Sequence, residues 1–259
     1  MNIVCCQTDI VWEDAAANHA RVETLFSANP PTAGSLIVLP EMFATGFSMN
    51  VDCIAESQGG PTHRFLASTA RRYESYVVGG LVTKGEDGRG KNESVLFSPE
   101  GIELGRYHKI RPFAFGEKQN YAAGERTVEW KIDDWRIAPF ICYDLRFPEI
   151  FRTSAMRGAD LYVVIANWPV ARIHHWVTLL QARAIENQAY VVGINRVGDD
   201  PKFHHTGRSL VVGPGGDILL DCGEDEGIHS VDIDLAALHE YRAKLPFLGD
   251  LHTEYVKAD

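Results

Sequence analysis

The stretch SVLFSPEGIELGRYHK, residues 94–109, decides the fold class: an apolar strand, a turn carrying Pro99 and Gly101, and a second strand of alternating character. A hairpin of this kind supplies antiparallel neighbours. SLVVGPGGDILLD, residues 209–221, repeats the pattern, and the likeness hints at two similar halves. Around the hairpins run near-continuously apolar segments, SLIVLPE (35–41), SYVVGGLVT (75–83), RIAPFICYD (136–144), LYVVIANW (161–168) and AYVVGINRV (189–197). Such runs read as strands buried on both faces.

Helical periodicity fills the gaps. Pro61 opens a helix with Phe65, Leu66, Thr69, Ala70 and Tyr73 inward, and Pro148 opens another with Ile150, Phe151, Ser154 and Ala155 inward. A third runs from about Ile173 to Asn187 on the stripe Ile173, Trp176, Val177, Leu180, Ala184. Strands alternating with helices give an α/β class, and the hairpins make its sheets mixed instead of doubly wound and parallel.

The chain has 259 residues and nothing that reads as a linker, so a single domain over 1–259 is expected. A formal net charge of −10 argues against nucleic acid or an anionic membrane as partner, yet leaves room for an anionic small molecule held by a few arginines. No apolar run approaches the roughly 18 residues of a membrane span. The N-terminus MNIVCCQTDIVW has neither a basic leader nor a small-residue cleavage pattern, so a cytoplasmic location is the expectation. Five cysteines, with no C-x-x-C pair and no Cys/His spacing suited to zinc, indicate neither a disulfide framework nor a metal, and no cofactor motif is present.

Three polar residues stand where strands end: Glu41 after SLIVLP, Lys109 after the first hairpin, and Cys142 after RIAPFI. Strand ends hold side chains outside the core while fixing them rigidly, which suits catalysis. Taken singly, Glu41 is a loop carboxylate, Lys109 a surface charge and Cys142 a small core hydrophobe. Together they fit a thiol mechanism, because a free cysteine is only a few per cent thiolate at neutral pH and needs a base or a cation beside it. Glu41 could supply the base and Lys109 the cation. A Cys-His pair is the alternative, with His108, His174, His175, His204 and His205 among the ten histidines available; His108 is the nearest candidate, but neighbours along a strand point to opposite faces. Glu117, eight residues past Lys109 and beyond a Pro and a Gly, could fold back onto the lysine.

LPEMFATGF (39–47), GRYHKIRPFAFGE (105–117) and ICYDLRFPE (141–149) resemble, in order and spacing, the Glu, Lys and Cys motifs of the nitrilase superfamily of carbon-nitrogen hydrolases. ANWP (166–169) and ARAIENQAYVVGINRVG (182–198) are similar to that family's downstream segments, so the likeness covers about residues 1–245. Within the superfamily the chain looks most like the bacterial omega-amidases, which act on 2-oxo acids bearing a terminal amide, such as 2-oxoglutaramate. The resemblance implies a four-layer αββα sandwich that pairs through its helical face into a homodimer or a larger homo-oligomer.

It also implies that Cys142 attacks an amide carbon, Glu41 shuttles the proton, Glu117 fixes Lys109, and Lys109 with the backbone N–H of Tyr143 forms the oxyanion hole. A substrate carboxylate would need a cation, for which Arg111, Arg146 and Arg172 are candidates, although Arg146 could instead form a structural ion pair with Asp144 or Glu149, the favoured reading of that residue. Trp168 and Phe43 are candidates for pocket walls, and both also suit a core. The rival readings are hydrolysis of a nitrile, an N-carbamoyl amine or another amide by the same residues, and a non-catalytic protein on the same scaffold.

Overall fold

The computed structural model describes residues 1–252, so 253–259 of the expected domain lie outside the described residues. The first half runs β1 (Asn2–Gln7), α1 (Ala15–Ala28), β2 (Leu36–Val38), α2 (Val51–Ile54), α3 (Pro61–Arg72), β3 (Tyr76–Lys84), β4 (Gly90–Phe97), β5 (Glu103–His108) and α4 (Glu117–Asn120). The second begins β6 (Trp130–Ile132), β7 (Trp135–Ile141), α5 (Pro148–Met156), β8 (Leu161–Ala166), α6 (Ile173–Asn187) and β9 (Tyr190–Asn195). It continues β10 (Val197–Asp199), β11 (His204–Thr206), β12 (Leu210–Val212), β13 (Ile218–Asp221), β14 (Gly227–Asp232) and α7 (Leu235–Lys244).

Two six-stranded sheets result, ordered β14-β1-β2-β3-β4-β5 and β6-β7-β8-β9-β12-β13. In each, three parallel strands (β1, β2, β3 and β7, β8, β9) are flanked by an antiparallel strand on one side and an antiparallel hairpin on the other. The two expected hairpins therefore occupy equivalent places in two similar halves. Pro139 is tolerated inside β7 because β6 pairs only with Trp135–Ile137, leaving that flank open where the missing N–H would point.

The pleat sorts the first sheet's side chains. Ile3, Cys5, Leu36, Val38, Val78 and Leu96 enter a core shared with the second sheet. Their neighbours Val4, Cys6, Ile37, Leu39, Val77 and Val95 pack outward on Val22 and Phe26 of α1 and on Phe65, Leu66 and Ala70 of α3. On the far side, Trp176 and Leu180 of α6 and Phe151 of α5 cover the second sheet, with Phe151 stacked on Phe140 at 3.9 Å. Helix, sheet, sheet, helix is the four-layer αββα sandwich. It explains why the strands are apolar on both faces: each sheet is covered twice.

Pro61 and Pro148 open α3 and α5 as expected, and Tyr73, at the C-cap of α3, packs inward with its ring 5.4 Å from that of Phe26 in α1. Two expected strands end early. β2 stops at Val38, and β7 stops at Ile141, where Cys142 begins a short 3-10 turn, Cys142–Arg146. Among the described residues no helix is long and apolar enough to cross a membrane.

Candidate active site

Glu41 follows β2 in a tight turn whose next residue, Met42, has φ +44°. The turn presses on β3 so closely that a Cβ at Gly80 would lie 2.5 Å from the Met42 nitrogen and 2.7 Å from the Glu41 Cα, so only glycine fits there. The Glu41 carboxylate is fully buried and fully engaged. Oε1 accepts from Lys109 Nζ at 2.9 Å and Asn92 Nδ2 at 2.7 Å, and Oε2 accepts from the Asn167 backbone N–H at 2.9 Å. Asn167 Nδ2 also donates to the Glu41 carbonyl at 2.7 Å, locking the turn.

Lys109 stands one residue past β5, also buried, with its ammonium 5.2 Å from the centre of the Phe47 ring. Nζ donates to Glu117 Oε2 at 2.9 Å and Oε1 at 3.1 Å besides Glu41. Burial works against its charge, but the Glu117 and Glu41 carboxylates outweigh it and hold the ammonium well above its ordinary pKa. Gly116, at φ +110°, turns the chain back at the start of α4 and delivers Glu117, whose Oε2 also accepts the Phe113 N–H at 2.5 Å.

Cys142 has φ +47°, in the left-handed region that a side chain enters only at a cost of about 1–3 kcal/mol. That kink aims Sγ away from the β7 core, 3.9 Å from the Asn167 carbonyl oxygen. Burial, then the nearby Glu41 charge, push its pKa well up, against the pull of Lys109. The thiol therefore rests protonated. Asp144, two residues on, accepts from Tyr107 Oη at 2.8 Å, Ile141 N at 3.0 Å and Arg111 N at 2.9 Å, tying the cysteine turn to the segment after Lys109. Burial raises its pKa to about 7.

A cleft opens at Cys142, walled by Tyr143, Trp168, Phe47, Phe113, Arg146 and Arg172, and it encloses about 460 Å³ counting its mouth. The Arg146 guanidinium lies 4.7 Å over the Trp168 ring, with Nη2 3.3 Å from His175 Nδ1. Arg172 lies 6.0 Å over Phe113, and its carbonyl accepts from the Trp168 indole N–H at 2.8 Å. Among the described residues neither guanidinium has a carboxylate within ion-pairing distance. Burial first, then the Arg172 charge, depress the Arg146 pKa, as expected of two cations facing one cavity. The wall's one acid, Asp200, has Oδ1 engaged by the N–H groups of Lys202 and Phe203.

Glu41, Lys109, Glu117, Cys142 and Tyr143 converge at this place, and Trp168, Arg146 and Arg172 reach the cleft. Phe43 does not. It is fully buried beneath α1 and α3, tilted against Phe65, and Phe47 lines the cleft in its stead. Arg111 also turns away, stacking 5.2 Å over Phe147 and pairing with Glu149 at 3.2 Å. That pairing leaves Arg146 without the structural ion pair that Asp144 or Glu149 offered as an alternative. His108 points its Nε2 at the Ala122 carbonyl, 2.9 Å away, so the Cys-His alternative falls there. Sequence reasoning missed Asn92, an uncharged amide just ahead of an apolar run, Asn167, another just past one, and the β10–β11 hairpin that brings Phe203 and His205 to the cleft.

A family model described as carbon-nitrogen hydrolase matches residues 2–243. The chain is 32% identical over 254 residues to the 2-oxoglutaramate amidase of Bacillus subtilis (strain 168), covering 97% of this chain and 98% of that one. It is 38% identical over 257 residues to the omega-amidase YafV of Yersinia enterocolitica, covering 96% of each. Among solved structures, a CN-hydrolase superfamily protein from Xanthomonas campestris with an arsenic adduct in its active site superposes with a TM-score of 0.91 at 34% identity, covering 97% of both chains. An amidase from Nesterenkonia sp. AN1, with acrylamide added at its active-site cysteine, gives a TM-score of 0.81 at 26% identity, covering 95% of this chain and 98% of that one. On these matches, together with the shared fold, this chain is a hydrolase belonging to the carbon-nitrogen hydrolase family.

Proposed function

We propose that the protein hydrolyses the terminal amide of a small 2-oxo dicarboxylic acid monoamide, 2-oxoglutaramate or 2-oxosuccinamate, to the acid and ammonia through a Cys142 thioester. The observation that carries this reading is the pair of guanidiniums, Arg146 and Arg172, that face the cysteine's cleft without an acid partner. Two partly desolvated cations above an aromatic floor suit a planar carboxylate, which Arg can grip with two parallel hydrogen bonds. The names of the Bacillus and Yersinia relatives support the same substrate class.

In the proposed cycle Glu41 takes the thiol proton as Sγ bonds to the amide carbon, and the carbonyl electrons move onto oxygen. A protonated resting thiol needs this base, because Lys109 alone does not create a thiolate. The oxyanion meets Lys109 Nζ and the N–H of Tyr143, the second residue of the 3-10 turn, where no intrahelical acceptor exists. Loss of one such donor typically costs about 2.7–4 kcal/mol. Glu41 then hands its proton to nitrogen, the C–N bond breaks, and ammonia leaves. Water adds to the thioester with Glu41 again as base, the C–S bond breaks, and the thiol recovers its proton. Glu117 locks the flexible Lys109 stem throughout, at 2.9 Å.

Ammonia release from 2-oxoglutaramate, 2-oxosuccinamate, glutamine, a nitrile and an N-carbamoyl amine, with and without a thiol-alkylating reagent, tests the reading. The 2-oxo acid amides should be fastest and alkylation should abolish release. Faster turnover of the nitrile or the N-carbamoyl amine would overturn it. Arg146→Ala and Arg172→Ala should each raise KM for acid substrates at least tenfold and leave an uncharged aliphatic amide unaffected. A cytoplasmic homodimer or larger homo-oligomer belongs to the same reading, checked by light scattering on the purified protein and by cell fractionation.

A further inference from the structure

Asn92 lies in β4 with its side chain sealed from solvent, and its Nδ2 donates at 2.7 Å to Glu41 Oε1 and at 2.9 Å to Glu117 Oε1. Lys109 Nζ donates to the same two oxygens at 2.9 and 3.1 Å. The four groups close a ring in which two carboxylate oxygens are bridged twice, once by an ammonium and once by an amide. The Asn92 carbonyl also accepts the Lys109 backbone N–H at 3.0 Å, so one residue touches all three of the others.

Two carboxylates crowded into a dry site have another way to be stabilised, which is to share one proton. A single ammonium against two carboxylates leaves negative charge buried and favours that outcome. The Asn92 amide stands where the shared proton would go. The ring also decides which Glu41 oxygen is less engaged: Oε1 takes two donors at 2.7 and 2.9 Å, whereas Oε2 takes the Asn167 N–H at 2.9 Å and only a long contact from Asn167 Nδ2 at 3.4 Å. The carbonyl of that same Asn167 is 3.9 Å from Cys142 Sγ, so the thiol and Oε2 flank one residue.

We infer that Asn92 is a positioning residue which keeps a proton from bridging Glu41 and Glu117 and directs the Cys142 proton to Glu41 Oε2. The titratable groups facing this pair are Lys109, Cys142, Tyr121 and His108, with Asp144 behind Lys109. None of them is altered by substitution at position 92, so each contributes alike to every variant.

The test is alkylation of Cys142 by iodoacetamide between pH 5 and 9, in which an S–C bond forms, iodide leaves and Glu41 takes the thiol proton. It is followed peptide by peptide by mass spectrometry and needs no amide substrate, so its outcome is separate from that of the substrate reading. The exposed Cys53 in the same digest is the internal reference. Asn92→Ala should move the acid limb of Cys142 alkylation upward by about one pH unit or more, a roughly tenfold loss of rate below it. Asn92→Asp, of the same shape but with a third carboxylate, should move it further. Removing one carboxylate as well, in Asn92→Ala combined with Glu117→Gln, should return the limb toward the wild-type position. An unmoved limb in the folded Asn92→Ala protein, or in Asn92→Asp should Asn92→Ala not fold, overturns the inference. So does a limb that stays displaced in the double variant.

Discussion

At Cys142 the backbone and the chemistry compete. A side chain at φ +47° costs about 1–3 kcal/mol, and glycine would not incur it. Cys142→Ala should abolish ammonia release with a thermal midpoint close to wild type. Cys142→Gly, equally inactive, should melt at or above Cys142→Ala, reversing the usual order of Ala over Gly; about 1 kcal/mol is roughly 2–4 °C for a chain of this size. A Gly variant that melts well below the Ala variant would show that the kink carries no strain. Asp144 makes a second prediction. Its pKa, about 7 when folded against roughly 3.9 when unfolded, means that the native state binds the proton more tightly. The associated stability is present below about pH 4 and is lost as pH rises through 7. Melting curves from pH 5 to 8.5 should therefore fall more steeply for the wild type than for Asp144→Asn, and parallel curves would refute the assignment. At this scale Glu41, Lys109 and Cys142 were legible because a charge or thiol at the end of an apolar run is conspicuous. Asn92 and Asn167 were not, because an uncharged amide acquires meaning only from the carboxylate opposite it. Arg111 and Arg146 could not be told apart, since the direction of each depends on a turn whose geometry is set by Asp144.

Among the elements, the two turns that present Glu41 and Cys142 each pass through a left-handed residue, Met42 and Cys142 itself. Each ends an apolar strand abruptly. Sequence periodicity extended RIAPFICYD through Asp144 because nothing in side-chain alternation announces a positive φ. The hairpins were legible since their turns carry Pro and Gly at the bend, whereas β10 and β11 are three residues each, and of them only Val197 falls within the run AYVVGINRV that was read as one strand. Gly80 is the element-level test of how Glu41, the proposed base, is aimed. Its missing Cβ is what lets β3 approach the Glu41 turn, with 2.5 Å to the Met42 nitrogen. Gly80→Ala must push that backbone, and backbone cannot yield as a flexible side chain can. The expected result is about 1–3 kcal/mol of destabilisation with a fall in turnover of roughly a hundredfold or more, out of proportion to the stability lost. Unchanged kcat in a folded Gly80→Ala protein would show that the Glu41 turn tolerates displacement.

For the whole molecule, apolar runs on both faces established that each sheet is covered twice, but not by what; the four layers came from the resemblance alone. The reason is that burial has no direction in a one-dimensional pattern, while the order of the layers depends on which cores fuse. Here the fused core lies between the sheets, where Leu36, Val38, Val78 and Leu96 of the first share one cluster with Ile137 and Val163 of the second. The site straddles the same seam: Glu41, Asn92, Lys109 and Glu117 come from the first half and Cys142 and Asn167 from the second. Neither half brings these six residues together without the other, which argues for one cooperative unit. Chains of this length often unfold through intermediates, so the expectation is a discriminating one. Of the five tryptophans Trp12 lies in the first half, so in Trp12→Phe protein the remaining Trp130, Trp135, Trp168 and Trp176 report on the second half. In a urea titration their fluorescence, the far-UV circular dichroism and ammonia release should therefore be lost at one midpoint. Leu96→Ala, a cavity in the first sheet on the seam, should cost about 2–5 kcal/mol and lower all three midpoints together. If activity were lost at lower urea while tryptophan fluorescence kept its wild-type midpoint, the two sheets would be separate folding units and the single-domain reading would fail.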